Sequence, residues 1–184
     1  GGLGISYSSE VALAPEAFAS AVGPLAKVTG LTLLTEPGRF LVGNAGQLLT
    51  RVLYQKHTGG KEIVVVDAGM NDLLRPALYG AYHEIRVVDP VAGGPEGPAD
   101  IVGPLCESGD FLGLKRALKG AAPGALLSVE GAGAYSFSMS SQYNSRPKAA
   151  EVLMDGDRFA VTRTRETIDD LMRGETPHAE WGTS

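Results

Sequence analysis

Cysteine is nearly absent from these 184 residues, with Cys106 the one example. That excludes an internal disulfide framework and makes a reducing, cytoplasmic compartment the default expectation. Histidine is scarce as well. His57, His83 and His178 are widely dispersed, so neither a zinc site nor any other metal centre is expected. Basic residues are outnumbered, 16 against 21 acidic, for a net charge of -5 with no basic run. Nucleic acid, which demands a basic face, is not an expected partner. No apolar run approaches the roughly 20 residues that cross a bilayer. The opening Gly1-Gly2-Leu3-Gly4 has neither the positive nor the apolar region of a signal peptide. It also lacks methionine, and reads either as a linker remnant or as the middle of a larger protein.

What is present suits a soluble globular chain of one domain or one and a half, with 43% hydrophobic and 20% charged residues. Pro15 to Thr29 reads as a helix: Pro15 suits a first helical position, Phe18, Val22, Leu25 and Ala26 fall near one face, and Gly30 supplies a stop. Leu31 to Thr35 reads as a short buried strand, ended by the Glu36-Pro37-Gly38-Arg39 turn. Helix, strand and polar turn together make the αβ pattern of a parallel sheet or barrel.

Beyond Leu48 the character changes. Residues 49–55 and 61–67 read as strands around Thr58-Gly59-Gly60, where the glycine pair suits a hairpin turn. Further strands are expected at 83–88, 126–130, 149–154 and 158–163, with Asp155-Gly156 as a second hairpin turn. Residues 92–98 read as a flexible loop, and 166–173 as a closing helix. The expected organisation is therefore the end of an αβ unit over residues 1–48, followed by a predominantly β domain over 49–184.

Several segments could carry chemistry. The opening glycines can expose backbone N–H groups to a phosphate, although most such clusters are only turns. Arg39 sits where ligands bind in parallel αβ architectures, but a solvated arginine on a turn is the plainer reading. Arg75 and Tyr79 are four residues apart and share a face if helical. Asp67 and Asp72 could instead pair with Arg75 as ordinary charges. Cys106-Glu107-Ser108-Gly109-Asp110 is different in kind, crowding a thiol, two carboxylates and a hydroxyl around a glycine. A thiol can deliver a proton, and a carboxylate can recognise an ammonium group. Tyr135, after Gly131-Ala132-Gly133-Ala134, is either a core aromatic or a hydroxyl aimed at a ligand. The polar stretch 138–147 is rich in donors and acceptors.

Taken together and in order, these segments resemble the C-terminal half of the diaminopimelate decarboxylases. These are pyridoxal-phosphate enzymes of the alanine-racemase-like fold, with an N-terminal αβ barrel and a C-terminal β domain. The resemblance covers essentially the whole chain, and its specificity lies in the ordered set rather than in any one motif. It implies an α+β fold: a mainly β C-terminal domain, barrel- or sandwich-like, preceded by the last αβ unit of an incomplete (β/α)8 barrel.

The resemblance also implies residue roles. Gly1, Gly2 and Gly4 match the end of the loop that wraps the cofactor phosphate. Glu36, Gly38 and Arg39 match the turn whose backbone supports that phosphate and whose arginine meets substrate. Arg75 and Tyr79 match positions at the substrate's carboxylate end. Cys106 and Glu107 match a loop donated across a homodimer interface, with Cys106 the catalytic proton donor, and Tyr135 matches the tyrosine beside cofactor and substrate. The implied activity is conversion of meso-diaminopimelate to L-lysine and CO2. Glu107 favours that substrate, because relatives acting on ornithine carry aspartate after the cysteine. The cofactor lysine of the family lies in the barrel, and none of Lys27, Lys56, Lys61, Lys115, Lys119 or Lys148 sits in a matching motif, so the chain alone is expected to be inactive. A decarboxylase of another basic amino acid, such as ornithine or arginine, and a non-catalytic dimerisation or binding module remain as alternatives.

Overall fold

The structure, a computed structural model, describes residues 2–176 and 181–182. Gly1, a candidate for the phosphate loop, and His178 lie outside the described residues. The chain divides into two compact units, residues 1–140 and 141–184.

The first unit opens with helix α1 (Pro15–Thr29). Pro15 occupies its first turn, and Gly30 caps it at φ 67°, donating its N–H to the Ala26 carbonyl. Phe18, Val22 and Ala26, one turn apart, are half-buried, while Leu25 is 65% exposed and no residue of α1 is fully buried. The strand expected at 31–35 does not form. Those residues adopt no regular structure and are exposed, Leu34 to 86%. A strand of a parallel sheet exists only beside a ladder partner, and no strand among the described residues lies alongside this segment. The turn after it instead winds into the short helix α2 (Gly38–Val42) and a single 3-10 turn at Gly43–Ala45.

A six-stranded mixed sheet makes up the rest of the unit, built from β1 (Leu48–Thr58), β2 (Lys61–Val66), β3 (Ile85–Asp89), β4 (Ala99–Val102), β5 (Phe111–Arg116) and β6 (Leu126–Val129). Their order is β3-β6-β1-β2-β4-β5, with β2 and β4 parallel and every other pair antiparallel. Gly59 and Gly60 both have positive φ, 57° and 73°, as a tight turn between twisted strands requires. The core lies against one sheet face, where Val52, Val64, Val66, Ile101, Leu112, Leu127 and Val129 meet Leu73 from the segment after β2. That segment ends in helix α3 (Arg75–Tyr79), begun by Arg75-Pro76 and stopped by Gly80 at φ 60°. Strands β4 and β5 were not anticipated, and in β5 the interruption by Gly113 hides the pattern.

In the second unit, β7 (Glu151–Asp155) and β8 (Arg158–Arg163) form a hairpin. Asp155 pairs with Arg158, so its loop is Gly156-Asp157, one residue later than Asp155-Gly156. Glu166 orders part of the polar stretch, accepting from Gln142 Nε2 and Lys148 N, each at 2.9 Å. The closing helix α4 (Ile168–Leu171) is shorter than expected and starts at a reciprocal cap between Thr167 and Asp170. No described helix is long and apolar enough to cross a membrane.

Candidate functional site

The candidate residues of the first unit are drawn together by close backbone contacts. Ile5, buried just after Gly4, packs against Gly43, where a Cβ would stand 2.5 Å from the isoleucine Cδ1. The same turn receives the glycine-rich segment after β6: Gly133 N donates to Gly43 O at 3.0 Å, and Ala132 N to Gly46 O at 2.8 Å. The two backbones approach so closely that a Cβ at Gly133 would fall 1.8 Å from Val42 O. This docking brings Arg39, on α2, to Tyr135, with the guanidinium carbon 5.4 Å from the ring centroid. Tyr135 itself has φ 60°, a conformation costly for an aromatic residue, and is 43% exposed. A Cβ at Gly2 or Gly4 would meet nothing within 4 Å, so the space beside that backbone is open.

A second cluster surrounds Arg75, which is only 7% exposed. Its NH1 donates to His83 Nε2 at 2.9 Å, and its guanidinium lies 4.7 Å from the centroid of Tyr7. The expectation of a possible surface pairing with Asp67 and Asp72 meets a different arrangement around those carboxylates. Asp67 Oδ1 accepts from Thr50 Oγ1 (2.6 Å) and Arg51 N (2.8 Å), and Asp72 Oδ2 accepts from Gly69 N (3.0 Å). His83 is fully buried, and burial above all pushes its pKa down from the ordinary histidine value, helped by the positive charges of Arg75 and Arg116.

The third element is the Cys106–Asp110 loop. Asp110, 4% exposed, accepts from Met70 N through Oδ1 and from Leu105 N through Oδ2, both at 2.7 Å. Gly69 and Gly103 make room for it, since a Cβ on Gly103 would lie 2.4 Å from Oδ2. The loop is thereby fastened to the 69–72 turn that leads into α3. On its other side that turn meets Ser136, whose Oγ lies 3.5 Å from Asp72 O. Cys106 is an exposed free thiol, and Glu107 is exposed with Oε1 accepting from Gly109 N at 3.1 Å. A groove of about 630 Å³ runs beside the loop, lined by Leu53, Tyr54, Val102, Pro104, Glu107 and Leu114 among others.

Thus Gly4, Arg39, Tyr135, Arg75 and the Cys106 loop belong to one connected neighbourhood. Glu36 and Tyr79 lie at the surface outside these contacts, Tyr79 65% exposed. Two participants, Tyr7 and His83, were not singled out from sequence, while Asp110 was noted as one of the two carboxylates of the 106–110 segment. Nothing distinguishes Tyr7 or His83 locally, and the segment around Asp110 gave no sign that its carboxylate is a buried anchor. No cluster of metal ligands occurs among the described residues.

The donors present suit an anionic, aromatic cofactor: open glycine backbone, an arginine and a tyrosine hydroxyl beside each other. Comparison with known proteins points the same way. Residues 7–133 match the domain described as pyridoxal-dependent decarboxylase, C-terminal sheet domain. Over 95% of its length the chain is 51% identical to diaminopimelate decarboxylase of Neisseria meningitidis serogroup A, and over 96% it is 49% identical to that of Pseudomonas aeruginosa. Among solved structures, diaminopimelate decarboxylase from Helicobacter pylori complexed with L-lysine superposes with a TM-score of 0.85 at 43% identity over 94% of the chain. The chain spans 43%, 42% and 42% of these three proteins, so it corresponds to less than half of each.

Proposed function

The chain belongs to the pyridoxal-dependent decarboxylases, through their C-terminal sheet domain, and on that premise we propose that it forms part of a diaminopimelate decarboxylase. The reaction is conversion of meso-diaminopimelate to L-lysine and CO2. The observation that carries this reading is the loop in which buried Asp110 anchors exposed Cys106 and Glu107 beside the turn leading to Arg75.

Pyridoxal 5'-phosphate, when bound, supplies the electron sink for loss of an α-carboxylate. The residues that would hold it are Gly2 and Gly4, the Glu36–Arg39 turn and Tyr135. Arg39 and Arg75 bind the distal carboxylate of the substrate, where two planar forks discriminate against ornithine, which lacks that group. Tyr79 lends its hydroxyl at the same end. Glu107 pairs with the distal ammonium. The Cys106 thiol gives its proton to the carbon from which CO2 has departed, and solvent restores the thiol.

In this reading the Cys106 loop serves a second copy of the protein, as part of a homodimer. The exposure of Cys106 and of Glu107, which lines the groove beside the loop, supports that role. The lysine that carries the cofactor is supplied from outside these residues, and the exposed thiol fits a reducing cytoplasm.

The test is CO2 release by the holoenzyme containing this chain, offered meso-diaminopimelate, ornithine, arginine and lysine. Diaminopimelate is expected to be preferred, and C106A to lower kcat by roughly 10²- to 10⁴-fold. E107D is expected to erode the preference. Preference for ornithine, or an unchanged preference in E107D, overturns the assignment. Added pyridoxal phosphate followed by borohydride should give this chain alone only scattered labelling of exposed lysines, with no single lysine labelled stoichiometrically.

A further inference from the structure

We propose that His83 is the positioning residue for Arg75, its Nε2 holding one guanidinium N–H so that the others face a substrate carboxylate. This rests on the reading above, in which Arg75 binds that carboxylate.

A guanidinium has five N–H donors and no acceptor, so whatever accepts from one edge fixes the direction of the rest. Here that acceptor is an imidazole, 2.9 Å from Arg75 NH1. Its tautomer follows from the opposite nitrogen: Nδ1 lies 2.9 Å from the Glu130 carbonyl oxygen, which can only accept, so Nδ1 carries the proton and Nε2 offers its lone pair. A neutral acceptor leaves the arginine's positive charge intact for an incoming anion, as a carboxylate in the same place would not. Tyr7 restricts both partners. Its ring lies 4.7 Å from the guanidinium and meets the imidazole edge-on, with centroids 5.1 Å apart at 70°. Pro76 follows Arg75 directly at the start of α3 and stiffens the backbone there.

Burial and the nearby positive charges favour the neutral ring of His83, against the bond to the Glu130 carbonyl, which favours the charged one. Arg75 approaches from α3, and Arg116 on β5 adds a second positive charge. The Glu130 carboxylate is occupied elsewhere, accepting from Gln47 Nε2 at 2.8 Å and Ser128 Oγ at 2.9 Å. Glu84, next in the chain, is bonded to the Tyr82 hydroxyl. Protonation of Nε2 would set donor against donor and release the guanidinium.

Two near-isosteric variants of the holoenzyme separate orientation from mere packing. Glutamine can place an acceptor where Nε2 stands, whereas asparagine reaches only the Nδ1 position and keeps the bond to Glu130. His83→Gln is therefore expected to retain KM for diaminopimelate, and His83→Asn to raise it roughly tenfold, the loss of one charge-assisted hydrogen bond. The acid limb of 1/KM in the unsubstituted holoenzyme should lie below pH 6.5, the ordinary histidine value, and vanish in His83→Gln. Equal KM values in both variants, or an acid limb that survives in His83→Gln, overturn the proposal. If neither variant folds, absence of that limb from the unsubstituted enzyme overturns it. Arg75→Lys distinguishes the parent reading: unchanged KM there refutes carboxylate binding by Arg75 itself. A raised KM in Arg75→Lys beside unchanged His83→Asn refutes only the role of His83.

Discussion

Replacing Asp110 tests the link between the loop and the sheet domain. Its carboxylate is 4% exposed and receives two backbone N–H groups at 2.7 Å, from Met70 and Leu105. Asp110→Asn keeps the volume but turns one oxygen into an NH2 facing a donor. One charge-assisted bond is lost and one buried N–H is left unpaired, for a cost of about 2–3 kcal/mol. For a domain of this size that corresponds to a fall of about 4–12 °C in Tm. Asp110→Ala removes both acceptors and should cost about 3–6 kcal/mol, a large part of a typical domain's total stability. Urea unfolding followed by far-UV circular dichroism measures both. The midpoint should shift at constant slope, which marks a change in stability rather than in the exposed surface. In the holoenzyme, kcat should fall as well, since the same carboxylate fastens the loop bearing Cys106 and Glu107. An Asp110→Asn variant within about 0.5 kcal/mol of the parent, the usual range for a surface change, would refute the reasoning. So would a destabilised variant with unaltered kcat, because the loop would then not depend on its anchor.

Two further outcomes are expected. Gly133→Ala, whose Cβ would fall 1.8 Å from Val42 O, should unfold the first unit or shift its Tm drastically, whereas Gly4→Ala meets nothing within 4 Å and should leave Tm unchanged; parallel thermal melts decide this. Stability should also fall in acid on account of His83. Its folded pKa is depressed, so below pH 6.5 the unfolded chain binds the proton first, and stability present above that value is lost as pH falls towards the folded pKa. The slope reaches at most about 1.4 kcal/mol per pH unit, and urea titrations of parent and His83→Gln at several pH values should differ by that contribution.

Local signals were legible wherever the responsible atoms are neighbours in the chain. Pro15 and Gly30 bounded α1, and the Gly59-Gly60 pair marked the β1–β2 hairpin, because each constrains its own φ. Leu31 to Thr35 read as a strand because apolar, β-branched runs fit one, yet a strand needs a ladder partner and none stands beside it. Strand β5 was hidden by Gly113, which serves close packing: a Cβ there would sit 2.9 Å from Ile85 Cδ1. In the site, Cys106 and Glu107 stood out as unusual residue types in a loop. The anchoring role of Asp110 and the parts played by His83 and Tyr7 did not, since they are set by partners 40, 8 or more than 60 residues away.

The sheet order also dictates a sequence of events during synthesis. Strand β6 lies between β3 and β1, yet it is made after all five of its sheet-mates. Until Val129 has left the ribosome, β3 has no strand to pair with and one flank of β1 stays open to any other extended chain. Leu48 must then find Val129 across the whole intervening sequence, a long closure of the kind that slows folding. This sheet is thus most open to mispairing just before β6 is made.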